Sequence, residues 1–122
     1  MTFLWRKELN LIFKTIEMED RINKILLDIK AKGWDSDRVI AQLTDFREYL
    51  KEIKKPFMVR ATRVAYEYIG RNGEFAVDVF EERGEGEGTS FEYFLTLLKD
   101  ADNQYNREEL DEYIELMRED ED

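Results

Sequence analysis

Hydrophobic positions recur at helical spacing along the first quarter of the chain. Leu4, Leu11, Met18, Ile22, Ile25 and Ile29 fall on one stripe, the last four separated by 4, 3 and 4 residues. This is the seam of a coiled coil or helical hairpin, and it predicts one long helix over 3–32. A second stripe, Trp5, Leu9, Ile12, Phe13 and Ile16, lies roughly opposite and only in the first half. A helix apolar on two sides touches two things. One is the following helix; the other is the rest of the domain or a second copy of the chain. A break near Glu19-Asp20 is the rival reading.

Gly33 suits the left-handed position after a helix. Asp35 or Ser36 can cap the next helix. Val39, Leu43, Phe46, Leu50 and Ile53 then repeat with spacings of 4, 3, 4 and 3, predicting a helix over 36–54 that Pro56 stops. Matching stripes on consecutive helices predict an antiparallel αα-hairpin.

Residues 57–83 are richer in β-branched and aromatic side chains. Asn72-Gly73 is the preferred pair for a type I′ turn. Centred there, Tyr68 faces Val77 and Tyr66 faces Val79, while Arg63 faces Glu82. Val64, Tyr66, Tyr68, Phe75, Val77 and Val79 then share one apolar face, so a β-hairpin is expected. One pair, Glu67 with Asp78, opposes that register. Ala61, Val64, Ala65, Tyr68 and Ile69 also fit a helix, which is the competing reading.

Thr89-Ser90-Phe91-Glu92 is a capping box opening a helix to about Ala101, with Phe91, Phe94, Leu95 and Leu98 inward. Asn106-Arg107-Glu108-Glu109 is a similar start for a last helix, with Leu110, Tyr113, Ile114 and Met117 inward. The expected fold class is therefore α+β, in a single domain over 1–122. It comprises an N-terminal antiparallel helical hairpin (3–55), a two-stranded β-hairpin (57–83), two short C-terminal helices (89–118) and a frayed acidic tail (119–122).

Composition supports a packed core: 43% of the 122 residues are hydrophobic and 13% aromatic. That is too much for a disordered chain. No apolar run approaches the ~20 residues of a membrane span, and the first residues do not read as a secretory signal. No membrane association is expected, and the default compartment is cytoplasmic.

Charge adds the most functional information. Residues 1–73 carry fifteen Lys/Arg against eleven Asp/Glu, a net +4; residues 74–122 carry four against eighteen, a net −14. Such asymmetry acts on partners and solubility more than on fold.

Candidate chemistry is narrow. The chain has no histidine and no cysteine. That excludes His-based acid–base work, Ser-His-Asp and Cys-His sites, thiolate metal sites and disulfides. The only serines, Ser36 and Ser90, stand where helix caps belong. Glu109, Glu112 and Glu115, and Glu17 with Asp20, have the i, i+3 spacing of helical carboxylate-metal sites. All-helical nucleotide pyrophosphohydrolases hold Mg²⁺ with two such pairs on neighbouring helices. Here the last-helix glutamates alternate with the inward residues and point to water. Asp100, Asp102, Gln104, Asn106 and Glu108 alternate like a calcium loop, but Tyr105 replaces the required glycine. Gly84, Gly86 and Gly88 are interleaved with Glu85 and Glu87, which repel phosphate. No metal and no cofactor is expected.

Arg47, Lys51, Lys54, Lys55, Arg60 and Arg63 form the one basic cluster. Near Tyr66 and Tyr68 it could contact phosphates. The preferred reading is that it pairs with the acidic half, because the overall charge of −10 disfavours direct nucleic-acid binding.

The expected function is non-enzymatic: a small acidic protein-binding module. Its carboxylates, represented by Glu81, Glu82, Glu85, Glu87, Glu108, Glu109, Glu112 and Glu115, would meet a protein with a basic surface. They would act as a polyanion mimic that inhibits a nuclease or other nucleic-acid-handling enzyme. Phage-encoded inhibitors and nuclease-immunity proteins share these bulk properties, an analogy of composition alone. Surface acidity serving only solubility is the plainer reading. One alternative is a homodimeric or larger scaffold assembled through Trp5, Leu9, Ile12, Phe13 and Ile16. The least favoured is a carboxylate-metal hydrolase.

Overall fold

A computed structural model of the chain describes residues 2–77 and 89–119, with side chains from Leu9 onward. Five helices account for most of them: α1 (Thr2–Lys32), α2 (Ser36–Glu52), α3 (Pro56–Asn72), α4 (Ser90–Leu98) and α5 (Gln104–Glu119). No strand occurs among the described residues. The fold is all-helical, and the α+β expectation with a β-hairpin over 57–83 is overturned. Residues 78–83 of that hairpin lie outside the described residues.

The correction has a local cause. Pro56 ends one helix and also begins the next, standing in the first turn of α3. There its missing N–H costs nothing and its fixed φ is already helical. Asn72-Gly73 carried the turn signal because it favours positive φ. A type I′ turn needs positive φ at both residues. Only Gly73 has it, at φ 75°, where it caps α3 and donates its N–H to the Ile69 carbonyl at 2.7 Å. Asn72 stays helical, its side chain donating to the Tyr68 carbonyl at 3.0 Å. The helical spacing within 57–72 therefore wins: Met58, Ala61, Val64, Ala65, Tyr68 and Ile69 are all buried.

The other element boundaries follow from caps. Asp35 accepts from the Arg38 N–H at 3.3 Å and starts α2. Thr89 accepts from the Glu92 N–H at 3.1 Å and starts α4. Asn103 accepts from the Tyr105 and Asn106 N–H groups at 3.0 and 3.2 Å, so α5 begins earlier than the Asn106 start expected. The polar run is thus an interhelix turn over 99–103 leading into the first turn of α5, closed by Asn106 Nδ2 on the Asp100 carbonyl at 3.0 Å.

The α2–α3 turn is less ordinary. Lys55 N–H reaches the Leu50 carbonyl at 3.0 Å and Lys54 N–H the Lys51 carbonyl at 3.2 Å, the paired bonds of a Schellman cap. Its left-handed position, usually glycine, is held by Lys54 at φ 59°. That conformation costs a side-chain-bearing residue about 1–2 kcal/mol.

Contacts between helix ends set the directions. Tyr49 on α2 donates its hydroxyl to the Lys14 carbonyl on α1 at 3.3 Å, while Gln42 and Arg38, earlier on α2, reach Asp28, later on α1. Hence α1 and α2 are antiparallel. Trp34 Nε1 and Ser36 Oγ, at the start of α2, both donate to the Gly73 carbonyl beyond the end of α3. Arg71 near the end of α3 donates to the Met117 carbonyl near the end of α5, at 3.1 Å. Ser90 at the start of α4 lies 3.3 Å from the Tyr113 hydroxyl. Thus α1, α3 and α5 run one way, and α2 and α4 the other.

The core is continuous across α1 to α5. From α1 it takes Met18, Ile22 and Ile25, the later part of the predicted seam. Leu11, on the same predicted stripe, is instead 65% exposed. Phe75, on the extended segment after α3, lies among the rings of Tyr68, Phe91, Phe94 and Tyr113 at centroid distances of 5.2 to 6.1 Å. Its aromatic character looked like a strand signal; it serves to pin a non-regular segment into the core. Ser90 Oγ donates to the Val77 carbonyl and holds the same segment to α4.

Candidate functional site

The described surface has three unusual regions: an apolar stretch of α1, an acidic ridge on α5 and a basic groove between α2 and α3. No helix among the described residues is long and apolar enough to cross a membrane.

The first region is the early part of α1. Leu11, Ile12, Phe13 and Ile16 are 65%, 53%, 63% and 50% exposed. Leu9 is half-buried, and the Trp5 side chain lies outside the described residues. The helix meets the body only further on. Asp28 anchors it there, with Lys32 Nζ 3.1 Å and Arg38 Nε 2.9 Å from its carboxylate, the latter an ion pair rather than an aligned hydrogen bond. Gln42 donates to it at 3.0 Å. Arg21 lies over the Tyr49 ring at 4.0 Å to the centroid. Burial, with Glu17 nearby, pushes the Tyr49 hydroxyl's pKa up.

The hydrogen bond with Lys32 holds the Asp28 carboxyl below the usual aspartate range, against partial burial, with Gln42 and Arg38 adding to it. A depressed folded value means that this contribution to stability is present above the ordinary aspartate pKa of about 4 and is lost as pH falls through the lower folded value. The expected outcome is a shallower acid limb in Asp28→Asn, read by urea titrations from pH 7 down to about 3. Identical acid limbs in variant and wild type would show that Asp28 is not such an anchor.

The second region is on α5. Glu108, Glu112, Glu115 and Glu119 follow spacings of 4, 3 and 4 residues, and Asp111 flanks them. All five are exposed. The opposite face of α5, Leu110, Tyr113, Ile114 and Met117, is fully or almost fully buried, so the ridge is fixed outward. None of the five carboxylates forms an ion pair among the described residues. Glu108 does accept from Gln104 Nε2 at 3.3 Å. Glu109 stands apart: it is half-buried and accepts the Tyr93 hydroxyl at 2.6 Å, so it braces α5 against α4. Glu81, Glu82, Glu85 and Glu87 lie outside the described residues. Sequence reasoning named Glu108, Glu112 and Glu115 but omitted Asp111 and Glu119. The spacing that marks the inward face, applied to carboxylates, would have added Glu119.

The third region is a shallow hollow of about 640 Å³, lined by Arg47, Lys51, Lys54, Lys55, Pro56, Val59, Arg60 and Arg63. The basic cluster read from the sequence is therefore one surface. Among the described residues, its expected pairing with the acidic half is made once. Lys55 reaches Asp102 at 3.4 Å, but Lys51 pairs with Glu48 at 3.0 Å and Arg63 with Glu67 at 3.7 Å, each within its own helix. These are exposed pairs and hold weakly. Arg47, Lys54 and Arg60 have no ion pair among the described residues.

The carboxylates considered for metal binding do not assemble. Glu17 pairs with Arg21 at 3.3 Å. Glu17 and Asp20 share an open hollow with Arg21, Lys24 and Asp45, far along the chain from the α5 ridge. Among the described residues no three carboxylates converge on one point. No family model, no curated protein and no solved structure matches the chain.

Proposed function

We propose that this protein is a non-enzymatic protein-binding module that presents the α5 ridge to a basic surface, as a polyanion mimic. One observation carries the reading: a row of outward-fixed carboxylates with no cation paired to it among the described residues. Four residues of helix rise about 6 Å, so the charges form a regular line on a rigid rod. Such a line suits a groove built for a nucleic-acid backbone, and association would be fast and salt-sensitive. The inhibited partner would be a nuclease or another nucleic-acid-handling enzyme.

The test is mutual exclusion. Proteins retained by the immobilised chain at low salt should be nucleic-acid-binding proteins, and duplex DNA should displace them. Retained proteins that keep binding DNA while bound to the chain would overturn mimicry.

A second reading is favoured by the exposed apolar residues of α1. Ile12, Phe13 and Ile16 share one side of the helix; clustered exposed apolar residues mark protein–protein contacts, and a scaffold assembled through α1 would cover them. Because Phe13 and Ile16 are exposed, Phe13→Glu with Ile16→Glu should leave the fold intact. On this second reading alone, the result would be a salt-insensitive dimer that this double variant converts to monomer in sedimentation velocity. A wild-type chain that is monomeric at high micromolar concentration would remove the scaffold reading.

A further inference from the structure

We infer that the α2–α3 groove is a docking site for the α5 ridge of a second copy of this chain. Groove and ridge are matched in character. The groove has cations at its rim and Pro56 and Val59 in its lining. The ridge has carboxylates along its crest, with Tyr105 (75% exposed) and Leu116 (40% exposed) on the same solvent-facing side of α5. Lengths also agree. Glu108 to Glu119 spans about 16 Å of helix, and Lys55 to Arg63 about 12 Å.

Two further observations point to an occupant from outside the molecule. Arg47 lines the groove and has no ion pair among the described residues. Lys54 occupies a left-handed position that glycine would hold without strain, which places an ammonium at the groove's end. The molecule cannot satisfy the groove with its own ridge. The buried face of α5 is turned inward against α3 and α4, so its crest points away from the body. Among the described residues the one link from the acidic half is Asp102 on Lys55, at the rim.

Charge repulsion between copies does not forbid this. At about 0.15 M salt the Debye length is about 8 Å. The overall charge of −10 is then largely screened between molecular centres, while groups in contact are screened far less. Groove and ridge are different surfaces, so the contact is heterologous unless two copies exchange them reciprocally. The inference stands independently of a foreign partner for the ridge.

The test uses charge reversal and complementation in the intact chain. Sedimentation velocity at high micromolar concentration should show wild-type association at about 0.15 M salt and its loss at about 1 M, where the Debye length is about 3 Å. Lys54→Glu with Arg60→Glu should abolish it, and so should Glu112→Lys with Glu115→Lys. An equimolar mixture of the two variants should associate again, because one supplies an intact ridge and the other an intact groove. The expected weakening in each variant alone is at least about tenfold. Wild type that stays monomeric, association that survives about 1 M salt, or variants that fail to complement would each overturn the inference. So would a fluorescent single-stranded oligonucleotide that binds the wild-type groove and is lost with Lys54→Glu/Arg60→Glu, since that would make phosphate the occupant. A foreign partner that binds the ridge of a monomeric chain would leave the proposed function standing while this inference fell.

Discussion

Replacing Glu108, Glu112, Glu115 and Glu119 together by Gln should weaken binding to a basic partner about a hundredfold at about 0.15 M salt, with the fold unchanged. The size follows from the geometry. The four carboxylates are on one crest, are all exposed, and carry no internal ion pair among the described residues, so no cation of the chain is orphaned by the change. Neutralising them also relieves like-charge neighbours at i, i+3 and i+4, so thermal stability should hold or rise slightly. Glu109→Gln is the matched control. Its carboxylate is engaged by Tyr93, so it should affect the α4–α5 contact more than partner binding. The check is isothermal titration with the retained partner, beside circular dichroism of each variant. Unchanged affinity in the fourfold variant would remove the ridge as the binding element.

The second large effect concerns stability. Tyr113→Ala should cost about 3–5 kcal/mol, as truncation of a buried aromatic residue does. Tyr113 is fully buried, with the rings of Phe75 and Phe94 at 6.1 and 5.5 Å and Ser90 Oγ 3.3 Å from its hydroxyl. Its loss opens a cavity where α4, α5 and the 75–77 segment meet. Against a total stability of about 5–15 kcal/mol, a large part of the protein's margin goes. Tyr113→Phe keeps the ring packing and should cost only about 1 kcal/mol, the scale of a single hydrogen bond. Urea unfolding of the pair separates packing from hydroxyl. Equal destabilisation by the two variants would mean that the hydroxyl network, not the ring cluster, secures this junction.

What could be read from the chain divides along physical lines. The inward faces of α2, α4 and α5 were legible because each is a periodic stripe flanked by a cap, and both signals are local. The seam Met18-Ile22-Ile25 was legible for the same reason. The stretch at 57–72 was misread because its two cues are ambiguous in isolation. Asn-Gly favours positive φ, which a type I′ turn and a helix C-cap both use. β-branched and aromatic residues fit a strand, but they also fit a helix buried on one side, and tertiary packing overrides propensity. Counting positive φ at Gly73 alone decides for the cap.

The site was legible only in part. That Glu112 and Glu115 point outward followed from their alternation with Leu110, Ile114 and Met117, whereas Glu109, expected to do the same, is half-buried and accepts from Tyr93. That Arg47, Lys54 and Arg60 have no ion pair among the described residues, while Lys51 and Arg63 pair within their own helices, did not follow, because ion-pair partners are set by which helices become neighbours. For the described part of the acidic half, orientation limits the expected attraction: the packing of α5 turns its carboxylates away from the cations.

By itself, the sequence determined the inward faces of α2, α4 and α5, the caps of α2 and α4, the absence of His and Cys chemistry, and a charge split between the two halves, since these depend on residue type and near neighbours. Only the tertiary structure decided that 57–72 is a helix and that Leu11 to Ile16 stay largely uncovered. It also decided that the basic groove and acidic ridge face apart within one molecule. Those outcomes depend on contacts between residues distant in sequence, whose geometry is settled by burying one shared core rather than by any local pattern.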